Sequence, residues 1–303
     1  MPCYSPLEGW KSRTLNKTGK RSIVFNVKYG YADLPIKVPC GQCIGCRLER
    51  SRQWAIRCHH EASQHEENCF ITLTYNDKNL PENGSLDKRA FQLFMKRLRK
   101  KYEPKKIRFF HCGEYGELHQ RPHYHACLFG LDFKDKKLWQ ITKEIPLYTS
   151  KELQELWPYG FSTIGQVTFK SAAYVARYIM KKVTGDKAEQ HYQVTDPQTG
   201  EITQRTPEYT TMSRRPGIGK NWLEKYEADV YPGDFVVIAG KKMRPPKFYD
   251  RQYEIADPKT WTRIKSRRKI NAKKNPEENT TERLTVRRKV KEAQAELLKR
   301  IVE

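Results

Sequence analysis

The sequence predicts an α+β fold in which helices pack on a central antiparallel sheet of four or five strands. Runs of β-branched and aromatic residues at 69–77, 106–113 and 123–130 have the composition of buried strands. Two segments with helical periodicity, at 85–102 and 171–183, follow the first and the last of these runs. Because strand-like and helical segments interleave along one chain without an internal repeat, we expect a mixed fold.

The N-terminal segment, residues 1–66, is expected to contain short strands and loops followed by one helix. The stretch 22–30 alternates between polar and apolar side chains, as strands do. From 43 to about 66 the period changes to that of a helix, with Ile44 and Leu48 near one face and arginines elsewhere.

Residues 67–185 form the predicted core domain. Its first strand is followed by Ser85 and Asp87, which can cap a helix that runs to about Tyr102. That helix combines an apolar stripe with a basic one. The two further strand-like runs come next, and the core is completed by a short helix at 151–156, a strand at 162–170 and a helix at 171–183 that stops at Gly185.

Two regions follow the core. Residues 186–255 are predicted to be an extension with a hairpin, whose turn is the sequence DPQTG at 196–200, and a basic loop at 213–220. Residues 256–303 are predicted to be a basic, partly disordered tail with one helix from Glu282, because aliphatic periodicity thins there while Lys and Arg dominate.

The excess of positive charge predicts a nucleic-acid partner. The chain has 58 Lys and Arg against 35 Asp and Glu, a formal net charge of +23. Phosphate backbones are the usual partner of such an excess, and an anionic membrane is the alternative. The basic residues are spread over several segments rather than along one amphipathic helix, which favours DNA. The predicted DNA-binding residues are Arg97, Arg99, Lys100, Arg121, Arg177, Lys182, Arg214 and Arg215.

No membrane segment or signal peptide is expected. The longest clean apolar run, 235–240, has six residues, against the roughly twenty that a membrane helix needs. The first residues are polar, without the apolar core of a signal peptide. We therefore expect the protein to stay where it is made, with its eight cysteines reduced or bound to metal.

The sequence GEYGELHQRPHYHACLFG (113–130) contains the strongest candidate metal ligands. His123 and His125 are two apart in a predicted strand, so both side chains leave the same face of the sheet. Glu114 ends the preceding strand and can reach that face from across the turn. A His-Tyr-His triplet taken alone also fits simple packing or surface exposure on a half-buried strand.

The sequence YVARYIMKK (174–182) contains the candidate nucleophiles. Tyr174 and Tyr178 are four apart and Lys181 is three further on, so a helix places all three on one face. Aromatic pairs at this spacing usually pack in a core. Two hydroxyls and an ammonium are poor core material, however, because each would need a buried polar partner.

Cysteines at the start of the first helix are candidate zinc ligands. Cys40, Cys43 and Cys46 have CxxCxxC spacing, and three thiolates at this spacing suit zinc. Cys3 or Cys58 is the candidate fourth ligand, with His59 and His60 weaker candidates. Three free thiols at a helix start are the alternative.

In this order the motifs resemble those of the HUH endonucleases that initiate rolling-circle replication. Phe70–Asp77 resembles the first motif, His123 and His125 with Glu114 the metal motif, and Tyr174, Tyr178 and Lys181 the tyrosine motif. MPCYSPL, PCGQCIGCRLERSRQWAIRC and SRRPGIG (213–219) are similar to sequences of microvirus initiators, particularly those of gokushoviruses. The resemblance runs from residue 1 to about residue 250.

This resemblance implies the RRM-like or ferredoxin-like HUH core and an activity. A tyrosine would nick the origin with Mg²⁺ or Mn²⁺, form a 5′-phosphotyrosine, leave a 3′-OH primer and later rejoin the displaced strand. The implied partners are viral origin DNA, double- and single-stranded, and a host helicase and DNA polymerase in the bacterial cytoplasm, with no membrane. A plasmid relaxase or transposase, or a non-catalytic single-strand-binding protein that stacks bases on its aromatic residues, remain alternatives.

Overall fold

The computed structural model describes residues 3–17, 19–116, 119–142, 144–177, 183, 187–195 and 199–296. The chain divides into two compact units, a first unit of residues 1–50 and 265–300 and a second unit built mainly from 51–264. The helices described are α1 Ile44–Ala62, α2 Lys88–Lys101, α3 Lys151–Leu156, α4 Phe169–Arg177, α5 Lys187–Tyr192, α6 Lys220–Val230, α7 Lys247–Ala256, α8 Pro258–Ala272 and α9 Thr281–Glu296.

The described strands belong to four separate sheets. In chain order they are β1 Leu7–Leu15, β2 Arg21–Val24, β3 Gly30–Val38, β4 Asn68–Thr74, β5 Arg108–Tyr115, β6 Pro122–Phe129, β7 Lys137–Thr142, β8 Ile145–Thr149, β9 Ser162–Gly165, β10 Gln193–Thr195, β11 Ile202–Gln204, β12 Tyr209–Met212, β13 Val236–Ile238 and β14 Lys241–Met243.

The first unit contains a small antiparallel sheet in the order β2-β1-β3. Trp10 of β1 lies opposite Val24 on one side and Pro35 on the other. Gly30 opens β3 where a Cβ would come within 2.4 Å of the Trp10 Cβ, so any larger residue would push the strands apart. In the basic segment after residue 256 the structure has two helices, α8 and α9.

The second unit is organised by a seven-stranded antiparallel sheet in the order β12-β5-β6-β4-β9-β8-β7. The α+β class is confirmed, but the prediction of four or five strands is wrong. The additional strands lie towards the edges, where β7 is mostly exposed and β12 pairs with β5 from about a hundred residues further along the chain. Short edge strands with few buried side chains lack the apolar pattern from which a strand is predicted.

Alternation along β6 separates two cores. Its even-numbered side chains, such as Tyr124 and Leu128, join the cluster beneath α2 and α3. Its odd-numbered Cys127 and Phe129 join a second cluster with residues of α1 and α4. The sheet is therefore buried on both faces, and a polar side chain on the odd-numbered face of β6 lies in a low-dielectric environment.

The predicted helix cap is confirmed at α2. The Asp87 carboxylate accepts hydrogen bonds from the backbone N–H of Arg89 at 2.7 Å and of Ala90 at 3.2 Å. These bonds satisfy donors that have no partner within the helix, and they fix where α2 begins. Among the described residues, no helix combines the length and apolarity needed to cross a membrane.

Candidate active site

The hairpin of β5 and β6 brings the three candidate metal ligands together. Glu114 lies directly opposite His123, and Cys112 lies opposite His125. Since residues two apart in a strand share a face, the carboxylate and both imidazoles project to the same side of the sheet. β6 is a central strand, flanked by β5 and β4, so the histidines lie where the sequence predicts.

Both imidazoles point at one carboxylate oxygen. The Nε2 atom of His123 lies 3.0 Å from Oε1 of Glu114, and the Nε2 atom of His125 lies 2.9 Å from the same oxygen. The three ligand atoms all lie within 4.8 Å of one another. Ligands at cis positions around an octahedral Mg²⁺, each about 2.1 Å from the ion, are themselves about 3 Å apart. The residues present therefore fit a divalent cation.

The second nitrogen of each imidazole is held by the protein. The Nδ1 atom of His123 lies 3.1 Å from the backbone carbonyl oxygen of Arg121, which makes that nitrogen the donor. The Nδ1 atom of His125 lies 2.9 Å from the Thr72 hydroxyl on β4. Such outer contacts fix ring orientation and leave Nε2 for a ligand or the carboxylate.

Glu114 is fully buried and ionised. Burial raises the pKa of its carboxyl, but the hydrogen bonds and charges of His123 and His125 lower the pKa to about 2. At neutral pH the site therefore contains a negative charge beside two imidazole nitrogens. A buried carboxylate beside two imidazole nitrogens is a ligand set that suits a divalent cation.

α4 places Tyr174 against this cluster. The Tyr174 and His125 rings meet edge to face with centroids 5.3 Å apart, and Phe70 of β4 contacts both rings. The Arg177 guanidinium lies 5.9 Å from the centre of the Tyr174 ring. Tyr174 is buried. Of the predicted tyrosine motif, Tyr178 and Lys181 lie outside the described residues, as does Lys182 among the predicted DNA-binding residues.

A cavity of about 450 Å³ opens beside Tyr174. Phe70, Phe169 and Leu147 supply apolar walls, Lys170 and Arg177 supply two positive charges, and Glu144 supplies one carboxylate. Its size and mixed lining suit a group with a flat apolar part and a negatively charged part.

The remaining predicted DNA-binding residues differ in how much of their charge is available. Arg97 donates to the carbonyl oxygen of Leu156 and Arg99 to that of Ile107, so both contact the fold itself. Arg121 hydrogen-bonds to the carbonyl oxygen of Tyr75 and pairs with Asp77. Lys100, Arg214 and Arg215 are exposed.

The cysteine cluster lies in the first unit. Cys40, Cys43 and Cys46 converge with Cys3, with their sulfur atoms within 4.8 Å of one another. Burial raises the pKa of the Cys43 thiol, but backbone N–H groups of Tyr4 and Cys46 and neighbouring thiols lower it to about 7.

The other candidate zinc ligands are not part of this cluster. Cys58 is buried in the core of the second unit. His60 stacks on Trp222 and hydrogen-bonds to Tyr249, and His59 is exposed to solvent. Of the two candidates for the fourth position, Cys3 rather than Cys58 therefore lies with Cys40, Cys43 and Cys46.

Comparison with known proteins identifies the family. Residues 68–183 match the family described as replication-associated protein ORF2/G2P. The chain is 32% identical over 283 residues to replication-associated protein VP4 of Bdellovibrio phage phiMH2K, which covers 90% of this chain and 84% of that protein. This chain belongs to the replication-associated proteins of microviruses.

Two other members of this replication-associated family are similar over shorter spans. Replication-associated protein ORF2 of Spiroplasma virus 4 is 35% identical over 230 residues, 72% of this chain and 68% of that protein. Replication-associated protein ORF4 of Chlamydia phage 1 is 36% identical over 155 residues, 48% of this chain and 38% of that protein. No solved structure matches the chain. The region that matches the family contains Glu114, both histidines and Tyr174.

Two side chains at the site were not singled out from the sequence of this replication-associated protein. Thr72 orients His125, and Phe70 packs against both His125 and Tyr174. Both belong to β4, which the sequence relates to the first HUH motif without a role for any single side chain. Their signal is the period of two along β4, which places Phe70 and Thr72 on one face, opposite Cys127 and His125.

Proposed function

We propose that this protein nicks one strand of viral replicative DNA at the origin and starts rolling-circle replication. The observation that carries the proposal is the convergence of Glu114, His123 and His125 beside Tyr174. Membership among replication-associated proteins supports a role in replication initiation. The net charge of +23 supports binding to DNA.

The reaction is a transesterification at phosphorus. The phenol oxygen of Tyr174 or Tyr178 forms a bond to the scissile phosphorus, and the bond from phosphorus to the 3′ oxygen breaks. The phenol loses its proton and the departing 3′ oxygen gains one. The products are a 5′-phosphotyrosine and a free 3′-OH. The phosphodiester is exchanged for a phosphotyrosine bond and is not hydrolysed. The reverse attack by a 3′-OH can therefore rejoin a strand without ATP.

Glu114, His123 and His125 are proposed to hold Mg²⁺ or Mn²⁺. Such a cation would draw negative charge from a non-bridging oxygen of the scissile phosphate. The Nδ1 atoms of the two imidazoles contact the Arg121 carbonyl oxygen and the Thr72 hydroxyl, which leaves the Nε2 atom of each ring facing Glu114 and the proposed cation. Lys181, three residues after Tyr178, is proposed to favour the phenolate by its positive charge.

The cavity beside Tyr174 fits this chemistry. Its apolar walls and two cationic side chains suit a nucleotide next to the scissile phosphate. The 3′-OH would serve a host DNA polymerase, and a host helicase would separate the strands in the bacterial cytoplasm. Viral origin DNA, double-stranded before the nick and single-stranded at rejoining, is the proposed substrate.

The test is covalent capture of labelled DNA. Wild-type protein incubated with end-labelled single-stranded oligonucleotides that tile the origin region and with Mn²⁺ should give a protein–DNA adduct that survives denaturation. His123→Ala and His125→Ala should each form at least a hundredfold less adduct, while His191→Ala, on the exposed α5, serves as the matched control. Adduct at wild-type level from either site variant would overturn the metal role.

The same assay distinguishes the proposed nicking enzyme from a non-catalytic DNA-binding protein. Such a protein would retard the oligonucleotide in a native gel yet leave no adduct after denaturation. A relaxase or transposase would form the adduct but would not select a microvirus origin over unrelated single strands. Selective adduct at the origin therefore distinguishes the proposed initiator from both.

A further inference from the structure

The eight cysteines form two groups with different surroundings. Four of them are core residues of the second unit, packed among aliphatic and aromatic side chains: Cys58, Cys69, Cys112 and Cys127. The other four belong to none of the described hydrophobic clusters and instead contact one another: Cys3, Cys40, Cys43 and Cys46. Packing in a core, the usual reason for buried thiols, accounts for the first group alone.

We infer that Cys3, Cys40, Cys43 and Cys46 bind one structural zinc ion. The Sγ atom of Cys3 lies 3.7 Å from that of Cys40 and 4.0 Å from that of Cys43. A disulfide would bring two sulfur atoms to about 2.05 Å. Four thiolates around a tetrahedral zinc, each about 2.3 Å from the ion, stand about 3.8 Å apart. The two distances from Cys3 match that spacing, and the Cys46 sulfur lies within 4.8 Å of the other three.

Backbone donors complete the site. The N–H of Cys40 donates to the Cys3 sulfur, that of Cys43 to the Cys40 sulfur, and that of Tyr4 to the Cys43 sulfur, each at 3.3 Å. Donors aimed at sulfur stabilise thiolate charge and orient metal ligands. Four protein ligands leave no position for water or substrate, which marks a structural rather than a catalytic zinc.

The first unit would be stabilised by a structural zinc ion because it buries little apolar surface. Among its described residues, Cys3 and Leu284 are the only apolar side chains that are buried. Large apolar side chains in and next to its small sheet stay exposed, among them Leu15 of β1 at 60% and Tyr29, just before β3, at 67%. Small modules without a core are generally stabilised by disulfides or metal. Through its four ligands, zinc would connect the residues before β1 with the end of β3 and the start of α1.

Metal content tests the inference, and it is measured in the His123→Ala/His125→Ala background so that the imidazole site contributes nothing. We expect one zinc per chain by elemental analysis after gel filtration in mild chelator. Cys3→Ser in that background should lose the zinc, whereas Cys58→Ala, a buried cysteine outside the cluster, should retain it. A zinc-free parent, zinc retained without Cys3, or zinc lost without Cys58 would each overturn the inference.

Alkylation of the unmutated chain gives a second test that does not depend on the folding of a variant. The four clustered thiols should resist iodoacetamide until a strong chelator is added, and then react together. The four core thiols should stay protected under both conditions. Clustered thiols that react equally with and without chelator, or that are found as disulfides in reducing buffer, would contradict a zinc site. Neither result bears on nicking, which is measured with wild-type protein.

Discussion

The Nδ1 atoms of His123 and His125 are hydrogen-bonded to different kinds of group. A backbone carbonyl anchors the Nδ1 atom of His123, and no substitution can remove that oxygen. A side-chain hydroxyl, that of Thr72, anchors the Nδ1 atom of His125. Because His125 also lies against the ring of Tyr174, its orientation affects both the proposed cation and the proposed nucleophile.

Thr72→Val should weaken nicking without unfolding the protein. Valine keeps the shape of threonine but removes the hydroxyl, so the His125 ring loses its anchor. We expect an apparent Mn²⁺ affinity about 10- to 100-fold weaker, with the nicking rate largely restored by excess Mn²⁺. The measurement is the initial rate of adduct formation against Mn²⁺ concentration.

Thr74→Val provides the matched control for Thr72→Val. Thr74 lies on the same strand and face, but its hydroxyl donates to the carbonyl oxygen of Phe161 rather than to a histidine. Its variant should keep the wild-type Mn²⁺ dependence. If the two valine variants shifted that dependence equally, the orienting role of Thr72 would be wrong.

The sequence predicts the metal ligands better than it predicts their support. His123, His125 and Glu114 belong to one hairpin, so a local period of two is enough to place them together. Thr72 lies 53 residues before His125. Its contact depends on which strand pairs with β6, and that choice is made by burial across the whole sheet rather than by local pattern.

The proposed reaction has two candidate nucleophiles, Tyr174 on α4 and Tyr178, which lies outside the described residues. Single Tyr174→Phe and Tyr178→Phe variants should each still nick an origin oligonucleotide, each with one adduct site. The double variant should form none, because both nucleophiles are gone. Labelled adducts mapped by mass spectrometry after digestion check this, with Tyr29→Phe, a highly exposed tyrosine of the first unit, as control.

Each single variant should nevertheless fail to complete a round of replication. In the proposed mechanism, ending the round requires a second nucleophile while the first tyrosine still carries the parental strand. Release of closed single-stranded circles from a plasmid with two origins measures this step. Normal release of circles by either single variant would show that the two tyrosines do not alternate.

The packing of α1 against α6 and α7 is predicted to be acid-sensitive. Burial, with a smaller contribution from His59, lowers the pKa of His60 to about 3. His60 stacks on Trp222 and hydrogen-bonds to Tyr249. The unfolded chain binds a proton on this histidine below about pH 6.5, whereas the folded chain binds it only near pH 3. Stability is therefore complete above pH 6.5 and falls as the pH drops towards 3.

His60→Phe should reduce this loss, because phenylalanine keeps a ring against Trp222 but cannot be protonated. Between pH 7.5 and pH 5 the wild type should lose about 2 kcal/mol more unfolding free energy than the variant. Urea denaturation at the two pH values, each in chelator, measures the difference. An identical pH dependence of the two proteins would show that His60 does not contribute, whatever the absolute stability of the variant.

At the scale of the whole molecule, the class of fold was predictable and the extent of the sheet was not. The strands that carry the site are the most buried and therefore have the clearest apolar pattern. β12 joins the sheet edge through pairing with β5 after a long intervening chain, and nothing local in Tyr209–Met212 specifies that partner. In the same way, Cys3 meets Cys40 across 37 residues, so sequence spacing alone leaves Cys3 and Cys58 as equal choices.

The net charge of +23 predicts DNA binding that depends steeply on salt. Arg214 and Arg215 are available for such contacts, because both are exposed on the loop that follows β12. β12 pairs with β5, the strand that carries Glu114, so this loop extends from the edge of the same sheet. Met212 lies opposite Phe110, so the loop begins at the end of β5 away from Glu114, and DNA that contacts both would have to run along this strand.

Arg214→Ala/Arg215→Ala should make DNA affinity less dependent on salt. Each lost phosphate contact removes about 0.7–0.9 from the slope of log affinity against log salt, so the double variant should be less steep by about 1.5. Arg214→Lys/Arg215→Lys keeps both charges and should keep the slope, even if it loses paired hydrogen bonds to phosphate. These slopes are measured by fluorescence anisotropy with a labelled single strand, at about five salt concentrations between 50 and 300 mM. Equal slopes for the alanine variant and the wild type would place the phosphate contacts elsewhere on the basic surface.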